Sequence, residues 1–400
     1  MERGIEPITF GRFKRDFDEI EGGVLRRGMF VSLVIVVFFI VNIGTIFSFP
    51  MERALAPVQD YFAFHAAAEN SFNDVERLYD PEIFTALFDE KNGMLWLYPP
   101  TMLLVLFPFG LFPYGVAKVI WVIASCAGLG VAAYKITKGN LFLTVAMMLS
   151  PAAFAVLFTG QLSIFFACLA LAGFLNAKSR PILSGICFGF LTLKPQFGLL
   201  VPVFLLCTGS WRAIFAAAVT TLFLVMVSIA AFGLEAWAAF FSSLTQTHTD
   251  YVQSVGHSGR ITLADALRIL GVADLSTALI TLLSVGIGGS LIVLARRLGA
   301  SIPDLTVLAL LLTAITAPYF WVYDWLFVTF AALLFLRDRP TQPVWVQGMI
   351  VLVWFAPIAP YVGSGANLVP VIWLVLLGVV VAVSSVLLGL TGRGLRRQTI

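Results

Sequence analysis

Asp60 stands where the chain leaves its first long apolar run, in Gln59-Asp60-Tyr61-Phe62. A carboxylate beside apolar surface has its pKa lifted toward neutrality, which suits it to take a proton from an attacking hydroxyl. A helix-forming stretch follows, so the same side chain also suits a helix N-cap, and both readings stay open. Leu193-Lys194-Pro195-Gln196 is the most informative local signal. It interrupts an apolar stretch of about 27 residues, 182–208, too long for one membrane span and short for two, which predicts a break recessed in the membrane. A cation there calls for an anion, and an anionic ligand such as a lipid phosphate is favoured over snorkelling of Lys194 to the headgroups. Asp324, in Tyr323-Asp324-Trp325, sits among aromatics of the interfacial type, and an acid in that setting is either paired or at work.

Other polar residues stand at similar interruptions. Tyr98 precedes Pro99-Pro100, which fixes the chain direction and leaves the Tyr98 hydroxyl at the interface. In Gly160-Gln161 the glycine serves a turn, while the carboxamide needs a partner, either a sugar hydroxyl or a helix end. Gln196 adjoins the Lys194 break. His248, Asp250, His257 and Arg260 share one polar stretch, without HExxH or comparable spacing, so no metal site is expected there. A loop that covers a substrate, with Arg260 pairing a phosphate, is the better reading.

The elements that must position these residues follow from composition. Of 400 residues 60% are hydrophobic and 12% charged, against about 25% charge in soluble domains, which excludes a water-soluble globule. Runs such as 33–41 are apolar at every position, which excludes the alternation of a β-barrel and leaves helices as the spanning element. A net charge of +3 with no basic stripe argues against nucleic acid. Four cysteines without CxxC spacing indicate neither zinc nor a disulfide framework. No internal repeat is visible.

Cations mark the cytoplasmic ends of spans. Placing Arg26-Arg27, Lys135 with Lys138, Lys178 with Arg180, Arg212, Arg296-Arg297, Arg337 with Arg339, and Arg393 with Arg396-Arg397 inside gives twelve spans with both termini inside. These are 29–47, 114–134, 141–158, 162–177, 182–193, 196–208, 213–232, 273–295, 303–320, 325–336, 344–361 and 368–390. Segment 99–113 is expected to be re-entrant or interfacial. Lys118 breaks the rule and must snorkel outward. The domain reading is a cytoplasmic segment 1–28, one transmembrane catalytic domain 29–390 with large outer loops 48–97 and 233–269, and a cytoplasmic tail 391–400. Asp60, Tyr98, Gln161, Lys194, Gln196, His248, Asp250, His257, Arg260, Tyr323 and Asp324 then all fall outside, which predicts one site on that face.

In their order and sidedness, Asp60-Tyr61-Phe62, Tyr98-Pro99-Pro100, Gly160-Gln161, Leu193-Lys194-Pro195-Gln196 and the segment 318–324 resemble glycosyltransferase family 87 of the GT-C superfamily. The resemblance implies an all-α polytopic integral membrane protein, a GT-C-like bundle of about twelve transmembrane helices with extracytoplasmic loops. It implies inverting transfer of a hexose, mannose in some members, from a polyprenyl-phosphate donor to a hydroxyl of a glycan or glycolipid, in a bacterial plasma membrane and on its outer face. Asp60 matches the family's acid in the first outer loop and is the implied general base. Lys194 and Arg260 are the candidate holders of the donor phosphate, so neither metal nor cofactor is expected. Where some relatives have His, this chain has Tyr323-Asp324, and a histidine role there does not carry over. Asp74 and Asp80 lie farther along the first outer loop, in a segment that reads as surface. The rival reading is a transporter or flippase for a lipid-linked or anionic substrate. Its coupling charges belong near mid-membrane and within reach of both faces, whereas these gather at one. A polymerase or ligase of lipid-linked glycans would share the outer site but usually has a larger outer loop.

Overall fold

The computed structural model describes residues 8–20, 23, 25–31, 59–71, 75–86, 96–244, 260–271, 276–339 and 343–361. The expected spans 368–390 and most of 29–47 lie outside these residues, as do His248, Asp250, His257 and Asp74. Among the described residues the chain is helical, and the one β pairing is an isolated bridge between Arg260 and Trp321. In order, the helices are α1 (Phe10–Asp18), α2 (Gln59–Glu69), α3 (Pro81–Ala86), α4 (Thr101–Gly110), α5 (Tyr114–Ile136), α6 (Leu141–Met148), α7 (Pro151–Thr159) and α8 (Ser163–Asn176). They continue as α9 (Pro181–Leu191), α10 (Val201–Thr208), α11 (Trp211–Ser243), α12 (Leu263–Ile269), α13 (Thr277–Arg297), α14 (Ile302–Thr316), α15 (Leu326–Asp338) and α16 (Val344–Phe355).

Three of these, α5, α11 and α13, are long and apolar enough to cross a membrane, and they leave rows such as Val119 with Ile123 and Leu282 with Ile287 exposed. Helices α14 and α15 are buried on nearly every face and form the centre of the bundle. The expected count of twelve full spans is not reproduced, because several apolar runs form shorter pieces. Run 141–158 bends by 45° between α6 and α7, where the Ser150 hydroxyl caps Ala153 N–H and Pro151 has no N–H to give the preceding turn. Helix α11 passes a kink at Gly233 (φ 82°) and continues to Ser243, so the polar stretch expected from residue 233 begins as helix.

The runs expected as spans 182–193 and 196–208 are α9, a 3-10 turn and α10. At 1.5 Å per residue, helices of 11 and 8 residues cannot cross a hydrocarbon core of about 30 Å. Their feet are tied, since Lys178 Nζ before α9 donates to Gly209 O after α10 at 3.2 Å. The segment is therefore a hairpin that enters and leaves by one end with Lys194 at its tip, the recessed break that the sequence implies. Close backbone approach holds it: a Cβ on Gly185 would stand 2.4 Å from Ala216 Cβ, and one on Gly189 2.4 Å from Thr220 Cβ.

The cation-rich ends are tied similarly. Arg12 Nη2 donates to Gly139 O at 3.0 Å, Lys138 pairs with Asp338 at 3.9 Å, and Arg339 pairs with Asp304. Helix α4 is short, as expected of 99–113, and crosses α2 so closely that a Cβ on Gly110 would stand 2.5 Å from Ala68 C. Lys118 Nζ lies 5.7 Å from the centre of the Tyr114 ring one turn earlier, the direction required for outward snorkelling.

Candidate active site

Asp60 lies in the first turn of α2, on the same helical face as Phe64 and Ala67, both buried, so the carboxyl is turned toward the bundle. The first turn of α2 rests on the turn after α7. Gly160 closes α7 in the left-handed region (φ 69°), where its N–H and that of Gln161 both reach Val156 O. A Cβ on Gly160 would stand 2.5 Å from Tyr61 Cβ. Glycine is thus required twice, by the backbone angle and by the neighbour, and the contact brings Gln161 to Asp60. Gln161 lies close enough to Asp60 to act on its carboxyl.

Burial raises the Asp60 pKa from 3.8 to about 6. The hydrogen bond from Gln161 and the charge of Lys194 pull it down, and the charge of Asp324 pushes it up, with burial prevailing. Three segments far apart in sequence therefore act on one carboxyl.

Lys194 precedes Pro195, and its backbone (φ −133°, ψ 76°) lies outside the α region that a following proline disfavours. Its Nζ is 3.0 Å from Asp324 Oδ1, and both residues are buried. The Ser163 hydroxyl donates to the same oxygen at 2.5 Å, and Trp321 N–H donates to Oδ2 at 3.1 Å. Around the ammonium stand the rings of Phe197, Tyr323 and Phe166, with centres at 4.8, 5.5 and 5.9 Å. The anion that the sequence reading gave to a ligand is thus supplied first by the chain itself, as Asp324. The buried carboxylate, accepting from three donors, balances the charge of the recessed cation. Asp324 takes one of the three ammonium N–H groups.

Arg260 belongs to an adjoining cluster. Its Nε and Nη2 each donate to Asp265 at 2.7 Å, fork to fork, while Thr262 Oγ1 at 2.5 Å and Arg268 Nη1 at 3.3 Å reach the same carboxylate. The expected phosphate partner of Arg260 is here preceded by an internal one. The cluster is sewn to the Asp324 turn through the Arg260 to Trp321 bridge and through Ile261 N–H, which donates to Phe320 O at 2.7 Å.

Tyr98 stands on the other flank of α2, its ring 5.4 Å from that of Phe64, and its carbonyl accepts from the Tyr79 hydroxyl at 2.9 Å. Tyr323 faces Lys194 and stacks on Trp321. Gln196 is half-buried in the hairpin tip. Asp80 is a surface cap for α3, accepting from Glu82 N–H at 2.9 Å. Ser163 and Asp265 were not singled out in the sequence. Ser163 carried the signal of a hydroxyl opening an apolar run, and Asp265 that of Thr262-x-x-Asp265 at a helix start.

The chemistry available is that of a buried carboxyl of raised pKa, near the Gln161 amide and a caged cation. A model of glycosyltransferase family 87 matches residues 96–322, more than half of the chain. The match takes in Tyr98, Gln161, Lys194 and Arg260, and ends two residues before Asp324. No curated protein and no solved structure matches.

Proposed function

The chain belongs to glycosyltransferase family 87 and is a membrane glycosyltransferase, and from that premise we propose that it moves a hexose, mannose being the first to test, from a polyprenyl-phosphate donor to a hydroxyl of a glycan or glycolipid. The observation that carries the reading is the meeting of Asp60, Gln161, Lys194 and Asp324 around one carboxyl of raised pKa. Asp60 takes the proton of the acceptor hydroxyl as its oxygen forms a bond to the sugar's anomeric carbon. The bond from that carbon to the phosphate oxygen breaks, the electron pair leaves with the phosphate, and configuration inverts. Lys194 holds the leaving phosphate through N–H groups not taken by Asp324, and Arg260, joined to the same turn by its backbone, is the second cation. Tyr98, Gln196, Tyr323 and Asp324 line the substrate's approach, and His248 and His257 are further candidates for binding the substrate. The cation-rich ends lie opposite the site, which supports placing it on the extracytoplasmic face of a bacterial plasma membrane.

Asp60→Asn tests the base directly. In nanodiscs supplied with polyprenyl-phosphate-mannose and acceptor, the variant loses about 10²-fold or more in transfer rate. Near-normal transfer would overturn the assignment.

A further inference from the structure

Helix α8 opens with Ser163, and a hydroxyl at a helix start ordinarily accepts from the free N–H groups of its own first turn. The first turn of α8 has no side-chain cap. The Ser163 hydroxyl is 0% exposed and donates instead to Asp324 Oδ1 at 2.5 Å, across 161 residues of chain. Lys194 Nζ donates to that same oxygen at 3.0 Å, while Oδ2 receives Trp321 N–H at 3.1 Å. Hydroxyl and ammonium therefore compete for the charge of one oxygen. Phe166, one turn along α8 from Ser163, sets its ring centre 5.9 Å from the Lys194 Nζ, so one face of α8 addresses both members of the ion pair. Phe197 and Tyr323 complete the cage with ring faces in place of lone pairs. Without the Ser163 hydroxyl, Oδ1 would carry more of the carboxylate charge. It would draw the ammonium closer and repel an arriving phosphate more strongly.

We propose that Ser163 is a positioning residue: its hydrogen bond to Asp324 restrains the carboxylate's hold on Lys194, so that the ammonium stays available to the phosphate of the lipid-linked donor. This rests on Lys194 as the holder of that phosphate. Ser163 acts through the ion pair and need not touch the substrate.

The test measures binding of farnesyl phosphate, a short polyprenyl monophosphate, to the full chain in nanodiscs by calorimetry. Farnesol is the control without the charge, and empty nanodiscs are the blank for partition into lipid. Wild type is expected to bind the phosphate, and Ser163→Ala to bind it about tenfold more weakly with farnesol binding unchanged, a change the size of one hydrogen bond. Ser163→Cys fills similar space with a weak donor; it is expected to show the same selective loss and serves if Ser163→Ala does not fold. In a Lys194→Met background, replacing Ser163 has no further effect, because the route through the ammonium is gone. Equal losses for farnesol and farnesyl phosphate mark a merely structural role and overturn the proposal. So do a further loss of that size in the Lys194→Met background and wild-type affinity in both Ser163 variants. Lys194→Met that binds the phosphate as tightly as wild type, or no binding by wild type, removes the phosphate role of Lys194 and this proposal together. A loss in Lys194→Met that neither Ser163 variant shares removes this proposal alone.

Discussion

A base must be ionised to accept a proton, and burial holds the Asp60 carboxyl up to about 6. Transfer under kcat/KM conditions is therefore expected to rise with pH through an apparent pKa near 6 and to fail below it. Lys194→Met removes a charge that lowers this pKa, so the rising limb moves to higher pH, as a pH series on the variant will show. The same shift has a consequence for folding. A carboxyl whose pKa is higher folded than unfolded opposes folding increasingly as pH rises from about 4 to about 6, and the penalty is complete above that. Asp60→Asn is thus expected to stabilise the protein at pH 7, by about 1–3 kcal/mol from the size of the shift, while it lowers transfer by about 10²-fold or more. A melt in nanodiscs checks this. Substitution of Asp324 acts in the opposite sense, since it leaves the buried Lys194 without its carboxylate partner. Asp324→Asn is expected to destabilise by about 3–5 kcal/mol, and the double change with Lys194→Met recovers most of that without recovering activity.

At the scale of elements, the site depends on three interruptions in apolar sequence: the Gly160 turn, the Lys194 tip and the Asp324 turn. All three were legible, because a glycine, a charge beside proline or an acid among aromatics is anomalous where lipid-facing helix is the default. Their partners were less so. Pairing Lys194 with Asp324 spans 130 residues of chain, and nothing in the local pattern says which anion a recessed cation meets. The break within 141–158 was also hidden, since Ser150-Pro151 is compatible with a kinked span as well as with two helices. Gly160 ties these elements to function. Gly160→Ala must strain a left-handed backbone and push Tyr61 away at once, so α2 and Asp60 retreat from Gln161. The expected result is a loss of about 1–3 kcal/mol in stability and a fall in transfer much larger than that loss explains, measured by melting and rate on the same preparation.

For the molecule as a whole, the sorting of charge in the sequence predicts which end of the bundle faces which compartment, and the structure gives that sorting a physical form. One end joins Arg12 to Gly139, Lys138 to Asp338, Lys178 to Gly209 and Arg339 to Asp304; the other holds Asp60, Gln161, Lys194 and Asp324. Reading α9 and α10 as a hairpin in place of two spans leaves this alternation intact, since both return the chain to the side it left. The orientation is then a single two-way choice, and cations near span ends predict which. Exposed positions test it: Glu69 at the site end, and Lys138 and Ser179 at the cation end. With the four natural cysteines, which form no disulfide, replaced by alanine, Glu69→Cys is expected to react with an impermeant maleimide added to intact cells. Lys138→Cys and Ser179→Cys are expected to react only after the inner face is opened. The reverse pattern would put the site in the cytoplasm. A polyprenyl-phosphate donor would then have to be reached from the inner leaflet, and the base and the cage would be serving a different acceptor.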